Sequence, residues 1–254
     1  MHFIIAITPV NPVRAKASHK AEMVSQMLFG ETAQVLEEHT DFYKVRCTAD
    51  NYEGWIQRSQ VCDIPAKFFR KKIKGISTEN RTILFNNEAM QLPMGSVVWN
   101  TKNIGKYPVS YSRVPLNTDM VFNEENIIAV SKKYLNTSYL WGGRSTGGID
   151  CSGFSQQVFR ILNIQLPRDA YQQAEVGEVI GFLTESRYGD LAFFDNEEGR
   201  IVHVGILIDS KTIIHSMGKV RIDKIDTEGI INMDTGVRTH HLRIIKRINN
   251  QIKN

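Results

Sequence analysis

The chain has 254 residues, of which 42% are hydrophobic and 23% charged, with a formal net charge of +4. Three cysteines make no disulfide framework, and 18 Gly and 7 Pro in such a composition are ordinary for a globular protein. The positive charge is too mild for a nucleic-acid footprint, and no stretch is long and apolar enough to span a bilayer.

A chain of this length holds one large domain or two to three small ones. "MHFIIAITPV" carries a short apolar run, Phe3 to Ile7, with no Lys or Arg before it and Pro9 behind it. That is a poor signal peptide and predicts a first strand. A cytoplasmic location is expected if Met1 is the native start. Up to about residue 120, short alternating runs ("AQVLEE", "FYKVRC", "EGWIQ", "TILFN", "SVVWN") sit between Gly, Asn, Asp and Pro signals. This spacing predicts two small β-barrels, one over 1–65 and a second over 66–118 that includes a linker, "YPVSYSRVPLNTD". Within "FYKVRC", Tyr43, Val45 and Cys47 alternate onto one face, so Cys47 reads as a small core residue; a bridge to Cys62 is not needed. The basic run between Phe68 and Lys74 reads as a solvated strand face.

From Asn123 the period changes. "NEENIIAVSKKYLN" opens with a capping residue and two acids, and Ile127, Val130 and Tyr134 recur at helical spacing. A Gly-rich loop, "TSYLWGGRSTGGID", precedes a second helix from Cys151. Phe154, Val158, Ile161 and Leu162 form its predicted buried stripe, Gln156, Gln157 and Arg160 face away, and "LPRDA" ends it. "GDLAFFD", "RIVHVGILID", "TIIHSM", "KVRID" and "HLRIIKRI" then read as strands. Helices followed by a run of strands predict an α+β domain over 119–254.

Cys151, in "GGIDCSGF", lies in the first turn of that helix, where free N–H groups and the helix dipole favour an anion. Its neighbours are Asp, Ser and Gly, unlike those of a structural cysteine, so it reads as a nucleophile with a lowered pKa. His203 and His215 are twelve residues apart in two strand-like runs joined by a turn, which brings both rings to one end of a hairpin. They fit a nucleophile–base–orienter triad in which His203 takes the proton and His215 holds its tautomer. Zinc held by Cys and two His is the rival, without a C-x-x-C or H-E-x-x-H motif to support it. His2, His19, His39, His240 and His241 read as surface or structural residues. A carboxylate at Asp150 works against thiolate formation, so its use is capping, alone or together with binding a substrate cation.

"YLWGG" and "GIDCSGF", then "GDLAFF", "HVGILI" and "IIHS", resemble the NlpC/P60 family of cysteine peptidases over about the last half of the chain. The resemblance implies a papain-like α+β fold and cleavage of bacterial cell-wall peptides between γ-linked D-Glu and a diamino acid. By motif it makes Cys151 the nucleophile, His203 the base, His215 the third member and Tyr139 an oxyanion donor. The front half is similar to bacterial SH3-type barrels. Two barrels before such a domain resemble the dipeptidyl-peptidase VI subgroup, which acts on free peptides beginning L-Ala-γ-D-Glu and requires the unblocked amine. Glu22, in "SHKAEMVSQ", is the implied amine partner, with Glu53 as competitor. Tyr52, Asp150 and Ser152 are further substrate-binding residues. Ala170 departs from the pattern, since relatives often carry a serine there.

The expectation is a murein-peptide recycling hydrolase, monomeric, with a small murein peptide as partner, no cofactor or metal, and no nucleic-acid or membrane partner. The alternatives are a general endopeptidase on intact peptidoglycan and a murein-binding module with an inactive or acyl-transferring C-terminal domain.

Overall fold

The computed structural model describes residues 1–69 and 71–248. The chain forms two compact units: Met1–Asp119 with Trp141–Thr146, and Met120–Leu140 with the chain from Gly147 onward. Among the described residues no helix is long and apolar enough to cross a membrane.

In the first unit, seven antiparallel strands lie in the order Met23–Leu28, Val10–Arg14, Glu53–Gln57, Phe42–Cys47, Thr32–Glu38, His2–Ala6, Val61–Ile64. The alternation read from "FYKVRC" holds: Tyr43, Val45 and Cys47 are buried with Ile4, Val13 and Ile56. Neither Cys47 nor Cys62 forms a disulfide. Residues beyond this sheet form a four-stranded sheet and a separate two-stranded one, Val97–Trp99 against Ile73–Ile76. Within the four-stranded sheet, Arg81–Phe85 turns into Glu88–Leu92 through Asn86 and Asn87, both at positive φ (52° and 65°). Asn tolerates that backbone, and a two-residue turn of this hand matches strand twist. One apolar core joins Phe3, Ile5, Phe29 and Ile64 to Ile83, Val98, Trp99 and Val109. Gly30 makes this junction sterically feasible: its φ is +80°, and a Cβ there would stand 2.1 Å from the Val97 carbonyl oxygen. Trp99 Nε1 donates to the Gly30 carbonyl at 2.8 Å. In the basic run, Phe68 is buried against Trp99, Lys71, Lys72 and Lys74 are exposed, and Arg70 lies outside the described residues.

Arg144, from the Gly-rich loop, is buried in the first unit. Its guanidinium pairs with Glu31 at 3.1 and 3.2 Å, and its N–H donates to Gln26 Oε1 at 2.8 Å. Glu31 also accepts from the Leu28 N–H at 2.8 Å. Two charges at this depth are tolerable because they pair with each other and make further hydrogen bonds with the surrounding chain.

In the second unit, the helix Glu124–Lys132 starts where Asn123 accepts from the Asn126 N–H. A seven-stranded antiparallel sheet runs Glu178–Ile180, Arg238–Arg247, Leu191–Asp195, Ile201–Leu207, Thr212–Met217, Lys219–Asp226, Gly229–Ile231. The last of these also pairs with Arg238–Arg247, so six strands close into a ring. The helix Cys151–Ile161 packs on the strands of His203 and His215. It ends several residues before "LPRDA", because Asn163 takes a left-handed φ of 65°. The outward placement of Gln156 and Gln157 is also corrected: both are buried. Gln156 Nε2 donates to the Leu166 carbonyl, so the chain that follows the helix covers this side.

Replacing Glu31 with Gln removes the carboxylate hydrogen-bonded to the buried Arg144 guanidinium. The first unit should lose about 3 kcal/mol of stability, read as a lower denaturant midpoint in chemical unfolding, and a change near zero would contradict the pairing.

Candidate active site

Cys151 is the first residue of its helix and Asp150 is the N-cap, with Oδ1 accepting from the Gly153 N–H at 2.6 Å. The thiol is buried and receives N–H hydrogen bonds from Val204 and Ser152. Burial pushes it up to about 12, the Asp150 charge adds to this, and the two N–H groups and Arg168 only partly oppose it. The lowered thiol pKa expected from the helix tip is therefore corrected: desolvation outweighs the dipole.

His203 and His215 stand on neighbouring antiparallel strands whose register sets Gly205 opposite His215. His203 and Gly205 share a face, so the two rings lie diagonally across the pair. Gly205 is what lets them meet, since a Cβ there would come within 2.9 Å of the His215 Cβ. His203 Nε2 and His215 Nδ1 are 2.9 Å apart, with the rings edge to face. Burial, followed by the charges of His215 and His240, holds His203 well below its ordinary value.

Three further groups complete this line, and the sequence reading missed them. His215 Nε2 meets Asp223 Oδ2 at 2.9 Å, and Asp223 is fully buried. Arg221 donates to both Asp223 oxygens at 2.7 and 2.8 Å, and the Met233 N–H donates at 2.9 Å. Burial alone would raise the Asp223 carboxyl, but donation from His215, Arg221 and Met233 holds it well below the usual carboxylate range. His240 stacks on His203 with centroids 4.1 Å apart and planes 26° apart. Burial, aided by the His215 charge, lowers it to about 4. Of the two readings for His240, surface or structural, the second holds: it is a partly buried neighbour of the His203 ring. Alternation in "VRIDKI" placed Asp223 and Ile225 on one face, and an acid on a face shared with Ile225 was the available signal.

Asp150 is committed as well as capping. Arg168 Nη2 donates to its Oδ2 at 2.6 Å, and Arg168 Nη1 reaches Asp150 Oδ1 at 3.1 Å and the Ser152 hydroxyl at 2.8 Å. All three side chains are buried. Gln173 pins the Arg168 loop to the helix tip by donating to the Ser152 and Pro167 carbonyls while accepting from the Ser155 hydroxyl. Ala170 is buried at the start of the short helix Ala170–Gln173. Tyr139 is 36% exposed, and its N–H donates to the Gly218 carbonyl. Burial pushes its phenol up to about 12, and it lies near enough to Cys151 and Asp150 for their charges to add.

Cys151, His203, His215, Tyr139, Asp150 and Ser152 therefore belong to one unit. Glu22 and Tyr52 belong to the other. There Glu22 Oε1 accepts from Trp141 Nε1 at 2.7 Å, the Tyr52 N–H donates to Asp50, and Glu53 pairs with Arg46. Among the described residues no three His, Cys, Asp or Glu side chains are grouped to hold a metal ion.

The sequence and the fold both resemble those of known proteins. Residues 136–239 match the NlpC/P60 family, and residues 13–61 match the bacterial dipeptidyl-peptidase SH3 domain. A γ-D-glutamyl-L-lysine dipeptidyl-peptidase of Bacillus subtilis is 30% identical over 221 residues, covering 76% of this chain and 71% of that protein. A dipeptidyl-peptidase 6 of Lysinibacillus sphaericus is 26% identical, covering 88% and 92%. The crystal structure of an NlpC/P60 family protein from Bacillus cereus superposes with a TM-score of 0.81 over 96% of this chain and 99% of its own, at 17% identity, which shows the shared fold. With an SH3-like N-terminal domain ahead of a papain-like domain, the chain belongs to the NlpC/P60 family of cysteine peptidases.

Proposed function

We propose that this chain is a dipeptidyl-peptidase that hydrolyses the γ-D-Glu–diamino acid bond of free murein peptides whose N-terminal L-Ala is unblocked. The observation that carries the reading is the buried line from Cys151 past Val204 to His203, His215 and Asp223. The names of the relatives supply the bond class. A divergent second SH3-like barrel over 66–118, a monomeric state and a cytoplasmic location, where free wall fragments are recycled, belong to the same proposal.

Thiol and imidazole both rest neutral, because burial raises the one and lowers the other. His203 Nε2 faces His215, which leaves Nδ1 to take the thiol proton as sulfur attacks the γ-carboxyl carbon. The oxyanion is held by the Cys151 N–H and the Tyr139 hydroxyl. His203 then protonates the departing amine and afterwards activates the water that frees L-Ala-γ-D-Glu. The imidazolium formed in the first step faces His215, behind which the Asp223 carboxylate stands. Ser152 contacts the peptide backbone, and Glu22 and Tyr52 receive the alanine ammonium. Asp150 assists through its charge, shared with Arg168. An acylated alanine presents no cation to these groups, so intact wall is a poor substrate.

Cys151→Ala should lower kcat on L-Ala-γ-D-Glu-L-Lys by about 10⁴-fold or more while binding persists. Acetylating the alanine should remove most of the activity. Equal rates on free and acetylated peptide would leave a general wall endopeptidase, and no turnover of either would favour a binding module.

Without substrate, the rate of Cys151 alkylation by iodoacetamide should still be climbing above pH 9, as a raised thiol pKa requires. Because His203 is lowered, its basic form persists into acid, so the acid limb of kcat/KM should fall below pH 6.5. An alkylation plateau already reached at neutral pH would show a resting ion pair instead.

A further inference from the structure

With both rings taken as neutral, two imidazoles in contact have an ambiguity that geometry alone leaves open. Either ring of the His203–His215 pair is able to donate across the 2.9 Å contact. If His215 Nδ1 donates, His203 Nε2 is the acceptor and the proton of His203 sits on Nδ1. That ring then has no lone pair to offer the thiol. The two arrangements differ by one proton position on each ring, and only one of them is a base towards sulfur.

The surroundings of Asp223 remove the ambiguity. Its Oδ2 faces His215 Nε2 and Arg221 Nε, and its Oδ1 faces Arg221 Nη2 and the Met233 N–H. All but the first of these are obligate donors, and an ionised carboxylate has no proton to return. His215 must therefore carry a hydrogen on Nε2, which in the neutral ring leaves Nδ1 as an acceptor. His203 must in turn donate from Nε2, which bares Nδ1.

We propose that Asp223 is a positioning residue that sets the proton on both imidazoles and thereby makes His203 a base towards Cys151. It acts through His215 and touches neither substrate nor sulfur. Arg221 holds the carboxylate in place and is itself bonded to Asp234 and Asn232. An amide in place of Asp223 does not reproduce this. It has one oxygen and one NH2 for two donor-lined sides, so one side must meet donor with donor. Turning the NH2 towards His215 reverses the whole line.

Several groups face the two rings. His203 is met by His215, by the stacked ring of His240 and by Phe194, and its chain neighbour Val204 donates its N–H to the Cys151 sulfur. His215 is met by His203, Asp223 and the edge of His240. Asp223 is the anion in this set, with Asp234 reached through Arg221. The inference rests on the proposed use of His203 as base, but its test does not require turnover.

The experiment is long-range ¹H–¹⁵N correlation on the full chain with ¹⁵N-labelled histidine, at neutral pH and without substrate. The expected result is an Nε2–H tautomer for both His203 and His215. An Nδ1–H tautomer at either ring overturns the proposal, and this reading needs no variant. In Asp223→Asn, the Nε2–H signal of His203 should diminish, alkylation of Cys151 should slow, and kcat on L-Ala-γ-D-Glu-L-Lys should fall about 10²-fold with KM within about threefold. A folded Asp223→Asn protein with wild-type kcat and alkylation rate also overturns it. If the wild-type chain does not cleave the peptide at all, the proposed substrate fails, while the tautomers still decide the role of Asp223.

Discussion

Exclusion of water from the sulfur and the imidazole is the constraint on which the rest of the site depends. In a wet site the helix dipole and a neighbouring histidine would favour a thiolate–imidazolium pair. Here both groups are buried, and burial penalises each charged form. The chemistry proposed for this chain therefore starts from two neutral groups, and the direction of proton movement is set by hydrogen bonds instead of by standing charge. That is why a glycine at 205, a register between two strands and an acid at 223 matter as much as the thiol.

The helix tip is built to tolerate a carboxylate beside the sulfur. Asp150 caps the helix, yet its charge would oppose a thiolate if left alone. Arg168 takes up that charge and reaches Ser152, and Gln173 fixes the loop that delivers Arg168. The anion of the cap is neutralised by the chain itself, so the tip stays rigid and compact around Cys151. A cation placed beside Asp150 would meet a partly compensated carboxylate.

Much of this was legible in the chain. Asp150 followed by Cys151 and Ser152 announces a capped helix start, and the twelve-residue spacing of His203 and His215 across a turn announces a hairpin. Both are local signals with periods of 3.6 and 2. What was not legible depends on burial and on contacts far apart in sequence. The thiol pKa follows from packing against the Val204 strand, which a motif does not reveal. His240 reaches His203 from a strand that begins at Arg238 and whose pairing shifts at Phe193 and Phe194, and such a bulge is invisible in alternation. Gln156 and Gln157 were assigned outward by polarity, but the chain after Asn163 covers them. Arg168 was read as helix-ending punctuation because nothing in "LPRDA" shows that its guanidinium turns towards Asp150.

The most direct measurement is the intact mass of the protein quenched during turnover of L-Ala-γ-D-Glu-L-Lys. The account predicts a transient species heavier by one L-Ala-γ-D-glutamyl group, lost on hydrolysis and mapped by peptide digestion to Cys151. Steady turnover with no such adduct, or with the group on another residue, would contradict it.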